Sequence, residues 1–224
     1  VLRMAKPIEI RRVTVGFDPG TSGNKIAATW QSDEYPFEQI ERHYLVPPAM
    51  QTLNETNYRN GLELSDSGVC GVNSCVLSYV DPANGKRKFW EMGSTATRPG
   101  RIRAEERKFE KCIAKVLAFL GYLVQGELKT REPIELTLGL LLPLDEFGDR
   151  HVLADWLRHG VENFEYNGVL INNIKLAKID VKPEGYGIYK ASGVDSALVV
   201  NWGHSDLTIL VFKNGKLIQN QSDT

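Results

Sequence analysis

The sequence predicts an α/β protein, a mixed β-sheet with flanking helices, on three observations. Apolar, β-branched runs of strand length recur along most of the 224 residues, a helical repeat fills 101–125, and a three-strand unit with a Gly-containing polar turn occurs near each end. With 42% hydrophobic and 25% charged residues, the chain has the composition of a globular protein with a core. Its 27 basic and 28 acidic residues leave a formal charge of -1, which excludes a global field drawing it to DNA or an anionic membrane. No run of 18 apolar residues occurs, and the opening VLRMAKPIEIRR lacks the apolar block of a secretory signal. Cys70, Cys75 and Cys112 form neither a CxxC pair nor an even framework. A reducing, cytoplasmic setting is therefore expected, with Cys112 a small buried hydrophobe and not a metal ligand.

Taken in order, 13–18 reads as a strand entering a polar turn and 25–30 as a strand leaving it, so the pair is a β-hairpin. A third strand is expected over 38–45, then a Pro-, Gln-, Asn- and Thr-rich loop to about Gly71. NSCVLSYV and KRKFWEMG make a second hairpin around DPANG, with Asn84 and Gly85 as its turn. The helix over 101–125 carries Phe109, Ile113, Val116, Leu117 and Leu120 on one face, while Glu105, Glu106, Lys108 and Lys111 are expected to face water. IELTLGLLLPL is nearly continuous in apolar residues and predicts a central strand covered on both faces. DRHVLADWLRHG is a short helix stopped at Gly160. FEYNGVLINNIKLAKIDVKP supplies two or three strands, and PEGYGIYKASG a helix begun by Pro183. The terminal SALVVNWGHSDLTILVFKNGKLIQNQ repeats the opening strand–turn–strand–strand unit.

The first turn, FDPGTSGNK, has the composition of an anion cradle. Gly20 and Gly23 permit the dihedrals that bring successive N–H groups onto one anion, and they leave no side chain in the way. Thr21, Ser22 and Asn24 add neutral donors, Lys25 adds a point charge for phosphate oxygens, and Asp18 can orient a metal-bound water. Alone, Asp-x-Gly-x4-Lys is unspecific, and a plain hairpin turn is the competing reading. The similarly built turn at Asn201 favours the cradle.

FDPGTSGNK resembles the first phosphate loop of the actin, Hsp70 and sugar-kinase superfamily, and VVNWGHSDLTILVF resembles its second. GLLLPL and VKPEGYGIYKASG stand where bacterial actin-like proteins of the plasmid-segregating ParM or StbA type carry a GLP strand end and a connecting helix with a catalytic Glu or Gln. The resemblance implies an actin-like ATPase (ribonuclease H-like) fold that clamps ATP or GTP with Mg²⁺ between two lobes. The first lobe would be 1–194, with an inserted subdomain at about 46–100, and 195–224 would begin a second, incomplete lobe. By position, Asp18, Gly20, Thr21, Ser22, Gly23, Asn24 and Lys25 form the first clamp. Glu184 orients the attacking water, and Gly203, His204 and Ser205 touch the γ-phosphate. Asp18 and Asn201 would hold the metal through water. A solvated acid in the first turn of a helix is the competing reading of Glu184.

Two departures from the superfamily pattern carry consequences. Asn201 stands where an Asp is usual, which weakens a hydrated Mg²⁺ contact and puts hydrolysis in question more than binding. His204 replaces a common Gly. The family also continues into an adenosine loop, so the chain reads as the N-terminal portion of a filament-forming ATPase that segregates plasmid DNA through a DNA-bound adaptor, with a naturally short relative that lacks this loop as the competing reading. A sugar or acid kinase and a nonhydrolytic assembly scaffold remain the alternatives. The terminal unit is expected to leave an apolar edge through which the chain self-associates.

Overall fold

The computed structural model describes residues 10–35, 37–65, 73–96, 108–203 and 207–223. Strands β1 (Arg11–Pro19), β2 (Asn24–Gln31) and β3 (Gln39–Val46) form an antiparallel meander. β7 (Ile134–Leu142) and β10 (Ile174–Pro183) extend it as parallel neighbours, giving a five-stranded sheet in the order β10-β7-β1-β2-β3. Residues alternate along these strands, so Val13, Val15 and Phe17 on β1 and Leu136, Leu138 and Leu140 on β7 fall on one buried face. The other face carries Arg12, Thr14 and Gly16, with Glu135, Thr137 and Gly139 beside them, exposed or half-exposed. The expectation that β7 is covered on both faces is therefore corrected: among the described residues only one face is packed.

A second five-stranded sheet, in the order β4-β6-β5-β8-β9, comprises β4 (Met50–Leu53), β5 (Ser74–Val80), β6 (Arg87–Gly93), β8 (Phe164–Tyr166) and β9 (Val169–Ile171). It takes strands from 164–171 as well as from the 46–100 stretch. The loop expected through Gly71 instead contains β4 and helix α1 (Glu55–Ser65). Asn54 caps that helix, its Oδ1 accepting the Asn57 N–H at 2.8 Å, and Tyr58 anchors it against the Phe89 ring.

Helix α2 (Lys108–Tyr122) lies between the two sheets and continues through a π-helical turn, Leu123–Leu128, that ends at Lys129 in a left-handed conformation (φ 46°). Cys112 to Ala114 and Val116 to Gly121 are all buried, so the described helix has no broad water-facing side and Lys111 is half-buried. Residues 97–107, including the expected start of this helix with Glu105 and Glu106, lie outside the described residues. Cys112 is fully buried, and burial pushes its thiol up to about 12, as suits a structural cysteine. Cys70 lies outside the described residues. Helix α3 (Arg150–Gly160) packs on α2 and β10.

β11 (Ala197–Trp202), β12 (Leu207–Lys213) and β13 (Lys216–Leu217) form a third, antiparallel sheet. Helix α4 (Tyr186–Ser192) covers its inner face, where the Tyr189 ring stacks on Phe212 at 3.8 Å beside Val199 and Leu210. This small core is separate from the main one. No helix among the described residues is long and apolar enough to cross a membrane.

Candidate functional site

The β1–β2 hairpin turns tightly at 20–23. The Gly20 N–H donates to the Asp18 carbonyl at 2.9 Å, and a Cβ on Gly20 would stand 2.5 Å from the Gly23 carbonyl oxygen. Only glycine fits there. The Gly20 N–H is thus spent within the turn and is not one of the donors the glycine pattern suggested for an anion.

Asp18 and Lys25 are cross-strand partners in the β1–β2 register, and Lys25 Nζ lies 3.7 Å from Asp18 Oδ2. The Lys25 ammonium therefore faces a carboxylate. The Lys25 side chain keeps 70% of its surface exposed, so the pair is worth about 0–1 kcal/mol and gives way readily to a more highly charged partner.

Across from this hairpin, β10 runs one residue beyond its assigned end, since the Glu184 N–H donates to the Leu142 carbonyl at 2.7 Å. Gly185 then turns the chain with φ 89° into α4. Pro183 thus lies within the strand and does not open the helix, because the ladder to β7 captures the backbone through Glu184. Glu184 is 7% exposed, which rules out the solvated first-turn acid. A Cβ on Gly185 would come within 3.3 Å of Asn201 Cβ and Leu210 Cδ1, so the glycine lets this turn lie against β11.

These three segments line one cavity of about 280 Å³. Asp18, Gly20, Thr21, Ser22 and Lys25 form one wall, Glu184 the floor, and Asn201 and Gly203 the other wall. Gly23 and Asn24 do not line it: Asn24 is buried, and its Nδ2 donates to the Pro47 carbonyl at 3.3 Å. His204 and Ser205 lie outside the described residues. The cavity also takes in Leu141, Gly185, Gly187, Ile188 and Trp202, which sequence reasoning did not single out. The paired glycines of EGYG were the available signal.

Two carboxylates and one ammonium give the cavity wall a formal charge of -1. A polyanion alone would be repelled by that wall. A divalent cation beside the wall reverses the balance, and the oxygen donors of Asp18 and Asn201 suit a hydrated Mg²⁺, which is held by one or two carboxylates, waters and phosphates. Among the described residues no group of three or more His, Cys, Asp or Glu forms a cage of its own. At about 280 Å³ the space is also smaller than the ~300–1,000 Å³ of drug-sized ligand sites, and so suits a phosphate tail better than a whole nucleotide.

No family profile and no curated protein sequence matches the chain. Solved structures do. AlfA from B. subtilis plasmid pLS32, in a filament structure, superposes over 94% of this chain and 70% of its own, with a TM-score of 0.59 at 14% identity. The chain has the actin-like fold. An AlfA filament bound to AMPPNP gives a TM-score of 0.53 at 15% identity over 93% of this chain and 68% of its own. A non-polymerisable quadruple mutant of pCBH ParM gives 0.56 at 15% identity over 95% and 62%. The chain thus spans roughly two thirds of the length of these structures.

Proposed function

We propose that this chain is the nucleotide-binding part of an actin-like protein that holds ATP and Mg²⁺ between two lobes, 1–194 and 195–224, and self-associates. The observation that carries the reading is the convergence of both polar hairpin turns and buried Glu184 on one cavity. Asp18 and Asn201 would hold hydrated Mg²⁺, which neutralises the phosphates when bound. Lys25 would leave Asp18 for a phosphate oxygen, and Thr21 and Ser22 would donate to the same group. His204 and Ser205 complete the second loop of this proposal.

Glu184 is the proposed general base. Its carboxylate, buried at the end of β10, orients a water toward the terminal phosphate and accepts its proton. Asn201 cannot take a proton and holds a hydrated metal less firmly than Asp, which favours a second reading in which the chain binds nucleotide to assemble and turns it over slowly or not at all. Support for assembly comes from the filaments named above for AlfA, one of them bound to AMPPNP. Extending the reading, such assembly would segregate plasmid DNA through a DNA-bound adaptor, since a chain with a formal charge of -1 has no field of its own for DNA.

Light scattering of the chain with Mg²⁺ and either AMPPNP, ATP or GTP, together with phosphate release, tests this. Scattering that rises with AMPPNP supports nucleotide-linked assembly, and phosphate release with ATP separates the hydrolytic reading from the scaffold. No change in either with any triphosphate contradicts the proposal.

A further inference from the structure

The second sheet ends at β9, whose outer side has no neighbouring strand among the described residues. Its hairpin with β8 turns on Asn167 and Gly168, both at positive φ, and pairs Tyr166 with Val169, Glu165 with Leu170 and Phe164 with Ile171. In an antiparallel ladder, pairs that exchange both hydrogen bonds alternate with pairs that exchange none, and the pair flanking a two-residue turn is of the bonded kind. The Leu170 N–H and C=O therefore point away from β8, off the edge of the sheet, and no other backbone group among the described residues bonds them. Such edges are ordinarily blunted by Lys, Pro or a bulge, yet β9 is Val-Leu-Ile, with Val169 and Leu170 exposed.

Beside that edge lies a cavity of about 620 Å³, between β9 and the residues that close the π-helical turn. Lys129 and Arg131 supply its charge, Val124 and Val169 its apolar surface, and Asn172 and Asn173 its amides. Glu127 and Glu132, the nearest acids along the chain, do not line it, so the lining carries a formal charge of +2. Neither cation has an ion-pair partner among the described residues. Lys129 is set in place by the backbone: its N–H bonds the Val124 carbonyl and its φ is 46°, a left-handed conformation uncommon for a lysine. The cavity lies at the start of β10, next to Asn173, whereas the cavity between the polar turns takes in Leu141 and Glu184 at the far ends of β7 and β10. Roughly 25 Å of strand separates the two.

We infer that β9 and this cavity form a docking site for an extended, acidic peptide segment of a partner protein. The segment adds a strand beside β9 and exchanges backbone hydrogen bonds with Leu170. Alternate side chains of the added strand fall on the cavity side, where carboxylates meet Lys129 and Arg131 and an apolar side chain covers Val124 and Val169. Charge selects this occupant. A second copy pairing through its own β9 would bring another Lys129 and Arg131 to the same edge, and a purely apolar strand would leave both cations without a counter-charge.

The test is selection of a random eight-residue peptide library, displayed on phage, against the unaltered chain, followed by titration of the enriched peptides and mapping of backbone amide shifts. Enriched peptides are expected to carry acidic residues at alternate positions beside an apolar one and to shift the Leu170 and Asn172 amides. A Lys129→Gln, Arg131→Gln variant, which removes both charges from exposed positions, is expected to melt within a few degrees of the unaltered chain and to bind these peptides about tenfold more weakly. Methylating alternate backbone nitrogens of a peptide is expected to abolish binding in one of the two phases and to spare it in the other, because only one set of N–H groups faces β9. No enrichment, enriched peptides without acids, equal affinity for the variant, tolerance of methylation in both phases, or shifts away from β9 each overturn the inference. Protection of the Leu170 amide from hydrogen exchange that rises with chain concentration, with no peptide present, gives the edge to a second copy and overturns it as well.

Discussion

At the scale of single residues, the cavity sets two charges against each other, and their separation makes the chemistry testable. Lys25 is paired with Asp18 at 3.7 Å, an exposed contact of little worth, so a triphosphate gains the ammonium at small cost. Lys25→Ala is expected to weaken Mg·AMPPNP binding by about 1.5–3 kcal/mol, measured by calorimetry, with the melting temperature nearly unchanged. Because Asp18 and Glu184 outnumber Lys25 on the wall, chelating Mg²⁺ is expected to abolish AMPPNP binding; equal affinity with and without the metal contradicts the cation's role. Glu184→Ala is expected to keep binding and to slow phosphate release by about a hundredfold, while Asn201→Asp raises it, both followed in a phosphate-release assay. A Glu184→Ala variant that loses binding and turnover equally assigns Glu184 a structural task.

At the scale of elements, the strands were legible because strict alternation of apolar residues and Asn–Gly turns mark them locally. Asn167 with Gly168 and Asn214 with Gly215 all have positive φ, as two-residue hairpins require. Helix α1 was not legible, since Asn60 and Gly61 lower its propensity and its anchor, the Tyr58 ring on Phe89, is tertiary. The burial of α2 was half legible: the periodic residues were seen, but a sheet on each side could not be read from one helix. Gly121 marks that second contact, since a Cβ there would fall 2.3 Å from the Tyr166 ring. Gly121→Ala is expected to cost about 1–3 kcal/mol in urea unfolding through overpacking, and a neutral result would show that the helix and β8 can separate freely.

The β5–β6 turn supplies a pH-dependent counterpart. Burial by itself would raise the Asp81 carboxyl, but hydrogen bonds from Lys88 at 2.8 Å, the Ala83 N–H at 3.0 Å and Asn84 at 2.9 Å outweigh it and hold the group below its usual range. A lowered folded pKa gives stability that is present above the ordinary carboxylate range and is lost as pH falls through the folded value. Asp81→Asn is therefore expected to cost about 1.5–3 kcal/mol at pH 7 and much less near pH 3, by urea unfolding at both. A difference that does not shrink with acid would remove the ion pair from the explanation.

At the scale of the molecule, the two polar turns, far apart in sequence, were legible as a pair because each joins strands of similar pattern. Their junction was legible only through the family resemblance, since Gly185 and Ile188 reach the cavity by a turn whose geometry depends on the β7 ladder. The third sheet also behaves as its alternation predicted: Val199 and Leu210 face α4, while Leu198, Val200, Trp202 and Leu207 are 66%, 54%, 87% and 45% exposed on the outer face. Leu198 and Val200 point away from the inner face, so association through them is expected to need no nucleotide and to underlie any nucleotide-driven growth. Sedimentation velocity should show the unaltered chain self-associating with or without AMPPNP and a Leu198→Lys, Val200→Lys double variant as a monomer; a monomeric unaltered chain removes this contact. The central claim, that three distant segments form one triphosphate site, is tested most directly by mapping backbone amide shifts across the chain as Mg·AMPPNP is added. The account predicts that Thr21 and Ser22, Glu184 to Ile188, and Asn201 to Gly203 move together along one binding curve; shifts confined to a single segment, or lying away from all three, would contradict it.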